Sequence, residues 1–180
     1  MDIFTAIRTR RSVRRFLPEP VNDEHIDILL EAAMMAPSSK NAQPWRFVVI
    51  NDKKTLNAIA HNDPYAAPAA DAPMGILVCG DESKASWVEG CSAAIENMLL
   101  AAHGLGYGSF WCGIYQDHAR ERIMRKRCKL PEGIEPFALV LIGKAAHPLP
   151  LLDRYDPHKV HYNSWEDKVP EEKESRPYRF

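Results

Sequence analysis

The stretch from 87 to 105 constrains the fold more than any other. Trp87, Cys91, Ala94, Ile95, Met98, Ala102 and Leu105 recur there at helical spacing. The helix they form has one continuous apolar stripe, which must be covered along its length, so it belongs at the centre of a core. Gly104, Gly106 and Gly108 end it and lead into a strand at 109–113. Three further apolar runs read as strands: Trp45–Ile50, 75–79, and 137–142, the last closed by Gly143. Asp2 caps a first helix with Ile3, Phe4 and Ile7 on one face. Asn22 or Asp23 opens a second, carrying Ile26, Leu29, Leu30 and Ala33 and stopped by Pro37. Helical patterns also cover 53–60 and 117–128, whereas the Pro/Ala/Asp-rich stretch 62–73 reads as a loop. The resulting order, ααβαβαβαβ, predicts an α+β fold with helices around one sheet.

Composition narrows the class. A chain of 180 residues with 46% hydrophobic content can bury one well-packed core, so one domain over 1–165 is expected, followed by a tail at 166–180. A net charge of −1 gives no global pull toward nucleic acid or membrane. Glu89, Glu96, Asn97 and His103 interrupt the longest apolar helix and rule against a membrane span. Cys79, Cys91, Cys112 and Cys128 lie far apart with no C-x-x-C pair, which suits reduced thiols in a cytoplasmic protein. No apolar run in residues 1–16 has the character of a signal peptide. From 145 onward Pro, His, Tyr and charge dominate, yet Tyr155, Tyr162, Trp165, Tyr178 and Phe180 are more aromatics than a disordered tail usually carries. They predict a segment that wraps over a surface, and a second copy of the chain would supply one.

Two segments carry the candidate chemistry. Arg8, Arg10, Arg11, Arg14 and Arg15 crowd the end of the first helix, with Ser12 among them. Such a run repels itself, and a bound anion would relieve it, because the guanidinium fork matches phosphate oxygens and Ser12 adds a neutral donor. A solvated basic face is the plainer explanation and the one composition alone favours. Contact with a nucleic-acid backbone would need an extended basic surface, against which a pI near 6.7 argues. The second segment, 36–47, places Pro37, Ser38, Ser39 and Asn41 just after a helix, and Gln43-Pro44 then forces an extended path into the strand at Trp45. Short amides, hydroxyls and free backbone N–H groups suit the edge of a heteroaromatic ring; a helix cap and connection would need only some of them.

The pattern A-P-S-x-x-N-x-Q-P-W-x-F at 36–47, preceded by R-R-S-x-R at 10–14, resembles the nitroreductase family. Ser92-Ala93-Ala94-Ile95-Glu96-Asn97-Met98 followed by Gly104-Leu105-Gly106 and Trp111-Cys112-Gly113 is similar too, as is the strand ending at Gly143 with Arg154-Tyr155 after it. The resemblance runs from about residue 2 to 165, and the order and spacing of four segments make it specific. It implies a nitroreductase-like fold with a mixed, mainly antiparallel sheet, and a homodimer with FMN at the interface and the C-terminal tail around the partner. It further implies Arg10, Arg11 and Ser12 at the phosphate and ribityl end, Arg14 near the pyrimidine edge, and Arg154 closing on the phosphate. Pro37, Ser38, Ser39 and Asn41 would reach the ring from the other subunit, with the backbone of Trp111, Cys112 and Gly113 on its opposite side. The chain departs from the family pattern at Gly90, where an acidic residue is common, and at Glu96, where glutamine is.

The implied activity is a ping-pong oxidoreductase: NADH or NADPH reduces the flavin, leaves, and an electron-poor acceptor such as a nitroaromatic or quinone replaces it. The flavin performs the chemistry, so no protein nucleophile is expected. Positive charge from Arg14 would stabilise the anionic reduced ring. A flavin store or redox sensor without turnover is the alternative, as are the dehalogenating and flavin-fragmenting branches, the first of which inserts a lid for which 51–73 is short. No metal is expected, since His158 and His161 have no carboxylate or cysteine cluster beside them. Cys112 reads as a small buried side chain. The basic run Arg120, Arg122, Arg125, Lys126, Arg127 and Lys129 reads as solvated and complementing a helix dipole.

Overall fold

A computed structural model describes residues 1–167, in two compact units: Met1–Thr9 with the residues from Pro150 onward, and Arg10–Leu149. In the smaller unit, helix α1 spans Ile3–Thr9 and is opened by Asp2, whose carboxylate accepts from the Thr5 N–H at 3.0 Å. Its apolar residues Ile3, Phe4 and Ile7 are exposed. Further along this unit, Pro157–Lys159 form a short 3-10 turn, and His161 stacks on Trp165 with ring centroids 4.3 Å apart. Tyr178, Phe180 and most of the expected tail lie outside the described residues.

The larger unit contains α2 (Asp23–Met34), β1 (Trp45–Ile50), α3 (Lys53–Asn62), β2 (Met74–Asp81), α4 (Trp87–Gly104), β3 (Gly108–Gly113), α5 (His118–Cys128) and β4 (Ile134–Gly143). With α1, this is the order read from the sequence. The strands form one sheet in the order β1-β2-β4-β3, with every named pair antiparallel. A parallel element enters only through a bridge between Ser12 and Ser109. β2 and β4 occupy the centre and are buried on both faces, which explains their nearly continuous apolar sequences.

Helices α2 and α4 cover one face, where Leu29, Ala33, Cys91, Ile95, Met98 and Ala102 meet Met74, Ile76, Val78 and Val140. Leu56 and Ile59 of α3 and Met124 of α5 cover the other, against Leu77, Leu139 and Leu141. The expected loop at 62–73 contains a 3-10 turn, Pro64–Ala70, with Ala66 and Ala69 fully buried. Alanines there let the backbone itself lie against the core. β4 starts earlier than expected because polar Glu135 and Pro136 belong to it, at a bulge where Val78 opposes Ala138 and Cys79 opposes Pro136. No helix among the described residues is long and apolar enough to cross a membrane.

Candidate cofactor site

Helix α1 ends at Thr9, so the arginines do not share a helix face as the sequence suggested. Residues 10–17 instead run as an extended strap along the sheet. Val13 and Phe16 are its buried anchors. The Val13 N–H donates to the Ser109 carbonyl at 2.9 Å, and the Leu17 N–H to the Lys144 carbonyl at 2.8 Å. Gly108 makes this approach possible: a Cβ there would stand 2.4 Å from Val13 Cγ2.

The anchored strap distributes its charges. Arg10 and Arg11 are half-buried toward α4, where Arg10 Nε lies 3.6 Å from Glu96 Oε1. That separation is an ion pair but not a hydrogen bond, and Arg10 Nε is buried with no hydrogen-bond partner. Such an orphaned donor costs about 1–3 kcal/mol, more on a charged group. Burial, then Arg10 and Arg11, depress the His103 pKa below its ordinary value. Arg14 lies over the Phe110 ring at 4.6 Å, and Ser12 is exposed beside it. Arg15 turns away to an exposed pair with Asp71 at 3.2 Å.

β3 is an edge strand, and backbone direction alternates along it. Ser109 gives its carbonyl to the strap, whereas the Ile114 N–H turns the other way, to the Phe137 carbonyl. Trp111 and Gly113 therefore direct their backbone groups to the open edge, and those of Cys112 face β4. Gly113 is exposed, with no atom within 4 Å of where a Cβ would stand. The Cys112 side chain is buried in the other core, and burial pushes its thiol up to about 11.

The loop after α2 is strained. Lys40, Asn41 and Gln43 all have positive φ, at 51°, 54° and 46°. Left-handed non-glycine residues cost about 1–2 kcal/mol each, and such strain clusters at functional sites. Ser38 Oγ accepts from the Gln43 N–H at 3.0 Å, and Asn41 Oδ1 accepts from Gln43 Nε2 at 3.1 Å. Pro37 and Ser39 are exposed. The loop packs against the start of α4, where a Cβ on Gly90 would lie 2.9 Å from Pro44 Cγ. A side chain at position 90 would thus collide with Pro44 in this chain, and Glu96 is the partner of Arg10. Arg10, Arg11, Ser12 and Arg14 belong to the strap, which meets β3 at Gly108, Ser109 and Phe110, and Trp111, Cys112 and Gly113 continue that strand. Pro37, Ser38, Ser39 and Asn41 sit at the other end of α4, and Arg154 is an exposed residue of the smaller unit.

Two residues of the basic run read as solvated are instead paired. Arg120 lies in the first turn of α5, not in its last, and is half-buried. It donates to the Gly113 carbonyl at 3.0 Å and pairs with Asp117 at 3.2 Å and with the buried Asp63 at 3.4 Å. Arg125, in the same basic run, pairs with Glu135 at 2.6 Å. Neither is a simply solvated cation. An Asp three residues before Arg120, at a helix start, was the available signal. Among the described residues, no group of three or more His, Cys, Asp or Glu could hold a metal ion.

The nitroreductase family model matches residues 7–70 and 60–144. The "Putative NADH dehydrogenase/NAD(P)H nitroreductase" of Methanothermobacter thermautotrophicus is 39% identical over 169 residues, covering 92% of this chain and 88% of that protein. The crystal structure of the Bacteroides thetaiotaomicron protein of the same name superposes with a TM-score of 0.88 at 39% identity, over 91% of this chain and 98% of the other. An FMN-dependent nitroreductase from Clostridium difficile R20291 gives a TM-score of 0.85 at 28% identity, over 89% and 98%. A strap of arginines beside an open strand edge, a strained polar loop and these likenesses converge: the chain belongs to the nitroreductase family.

Proposed function

We propose that this chain is an FMN-dependent oxidoreductase that passes electrons from NADH or NADPH to an electron-poor acceptor such as a nitroaromatic or quinone, and that it works in the cytoplasm as a homodimer. The observation that carries the reading is the strap, whose buried anchors Val13 and Phe16 hold Arg10, Arg11 and Arg14 at the start of β3, the strand whose backbone is open further along at Trp111 and Gly113. An FMN molecule needs a cationic end for its phosphate and a polar, open edge for its ring. The orphaned Arg10 Nε and the empty space over Gly113 fit both. The similar protein from Clostridium difficile is named FMN-dependent, and the relatives' names include NAD(P)H.

In this reading Arg10, Arg11 and Ser12 hold the phosphate, while Trp111 and Gly113 direct backbone groups at the ring. Arg14 supplies positive charge that favours the reduced, anionic ring. Bound FMN would supply the reversible two-electron chemistry that links the nicotinamide to the acceptor. Pro37, Ser38, Ser39 and Asn41 come from a second copy, since in one chain they lie at the other end of α4 from the arginines. The exposed Met34 and Met35 beside that loop, and Ile3, Phe4 and Ile7 on α1, offer apolar surface for the second copy. Such a dimer would bury surface that one chain leaves bare.

Purified without added cofactor, the protein should be yellow, release FMN on denaturation, and bleach when NADH or NADPH is added without air. Reoxidation by a quinone or nitroaromatic, repeated over many turnovers, separates an enzyme from a flavin store. A colourless protein that also fails to bind added FMN would overturn the proposal.

A further inference from the structure

Asp63 is 2% exposed, and one of its oxygens, Oδ2, is buried without a hydrogen bond. Its Oδ1 accepts from the Tyr65 N–H at 2.9 Å and lies 3.4 Å from Arg120 Nε. A buried carboxylate this poorly satisfied is costly, and losing its cation would raise that cost further. Arg120 is held by more than Asp63. Its guanidinium lies 3.8 Å over the Tyr65 ring, and Asp117 flanks it at 3.2 Å. Capping α5 does not require this arrangement, because the Asp117 carboxylate already accepts from the Ala119 and Arg120 N–H groups.

What Arg120 reaches is the Gly113 carbonyl, at 3.0 Å. The next two residues are fixed from the opposite side, where the Ile114 and Tyr115 N–H groups both donate to the Phe137 carbonyl at the bulge, each at 3.0 Å. Gly113 is therefore the pivot between the two attachments. Its carbonyl faces the open edge, where it would present an acceptor to a ring whose edge carries the acceptors N1, O2, O4 and N5 beside a single N3–H donor. Arg120 occupies that carbonyl and leaves the Gly113 N–H to face outward.

We propose that Arg120, seated on Asp63, is a positioning residue that fixes Gly113 against the ring of the bound flavin and offsets the negative charge of Asp63 and Asp117 at that edge. The inference rests on the flavin reading above. It assigns Arg120 to the ring and not to the phosphate, and this can be separated experimentally by riboflavin, which has the ring and no phosphate.

The test titrates the apo-dimer with FMN and with riboflavin, then measures the midpoint potential of the bound FMN, in wild type, Arg120→Met, Arg120→Lys, Asp63→Asn and Arg10→Gln. Arg120→Met should weaken both flavins by the same factor, about tenfold, and move the potential to more negative values. Arg120→Lys, keeping the charge without the fork, should recover part of the potential and little of the affinity. Asp63→Asn, which removes the opposing charge, should move the potential the other way. Arg10→Gln should weaken FMN alone. Should Arg120→Met fail to fold, the opposed directions expected of Arg120→Lys and Asp63→Asn decide the matter. Unchanged potentials in both, or a loss confined to FMN, would overturn the assignment. Failure of the wild type to bind either flavin would instead overturn the flavin reading itself.

Discussion

Replacing Gly108 by alanine tests whether the strap truly depends on the backbone of β3. The new Cβ would stand 2.4 Å from Val13 Cγ2, 2.8 Å from Val13 Cβ and 3.0 Å from Val13 Cγ1. Carbon atoms pack at about 3.5–4.0 Å, so the strap must retreat by about 1 Å. Val13 is buried and its N–H is bonded to the neighbouring Ser109 carbonyl at 2.9 Å, so the retreat strains packing and stretches that bond together. Overpacking of this kind costs about 1–3 kcal/mol. At about 2–4 °C per kcal/mol for a domain of this size, the apo-protein should melt about 2–12 °C lower. The retreat also carries Arg10 and Arg11 away from their places over α4. Losing one hydrogen bond from a charged group costs about 1.5–3 kcal/mol, which corresponds to about a 10- to 150-fold rise in the FMN Kd. Thermal melting and flavin-fluorescence titration read the two effects. Val13→Ala added to Gly108→Ala removes both γ-methyl groups and should recover part of each. Wild-type melting and affinity in the single variant would refute the close approach. A lower Tm with unchanged FMN affinity would refute the claim that the strap carries the site.

Glu96→Gln removes the carboxylate that competes with an anion for Arg10; since Glu96 is half exposed, FMN affinity should rise only about two- to fivefold, measured by the same titration. His103 has its pKa depressed in the folded chain, by burial first and then by Arg10 and Arg11. The unfolded chain thus binds this proton more readily, so His103 costs no stability above about pH 6.5 and a growing amount as the pH falls from there through the folded pKa. Apo-protein melts between pH 7.5 and 5 should show His103→Gln losing less stability on acidification than wild type. The thiols of Cys79 and Cys91 are pushed up to about 12 and that of Cys112 to about 11, in each case chiefly by burial. At pH 8 a thiol reagent should label these three slowly in the native protein and quickly in denaturant, and Cys112→Ala should leave flavin reduction by NAD(P)H unchanged.

Periodicity made the order of elements legible, and β1 was expected at the residues it occupies. Other features were hidden for physical reasons. The buried alanines at 66 and 69 carry no periodic signal, because they fill space under a 3-10 turn rather than one face of a helix. Glu135 and Pro136 look like loop residues and are strand, because a bulge accommodates them. The arginine cluster was legible as a concentration of charge at the end of the first helix, but not as an extended strap, since its registration depends on Ser109 and Gly108, far away in sequence. Lys40 and Gln43 give no sign of left-handed backbone, as neither is the glycine or asparagine that usually marks it. Arg120 was lost among neighbouring basic residues, and only the fold brings Asp63 and Gly113 to it.

A crystal structure of the protein loaded with FMN tests the assigned site most directly. The expected result has the phosphate on Arg10, Arg11 and Ser12, the ring along the open edge at Trp111 and Gly113, and the loop bearing Ser38, Ser39 and Asn41 reaching it from a second copy. A phosphate bound elsewhere, with the strap in contact only with Glu96 and solvent, would contradict it.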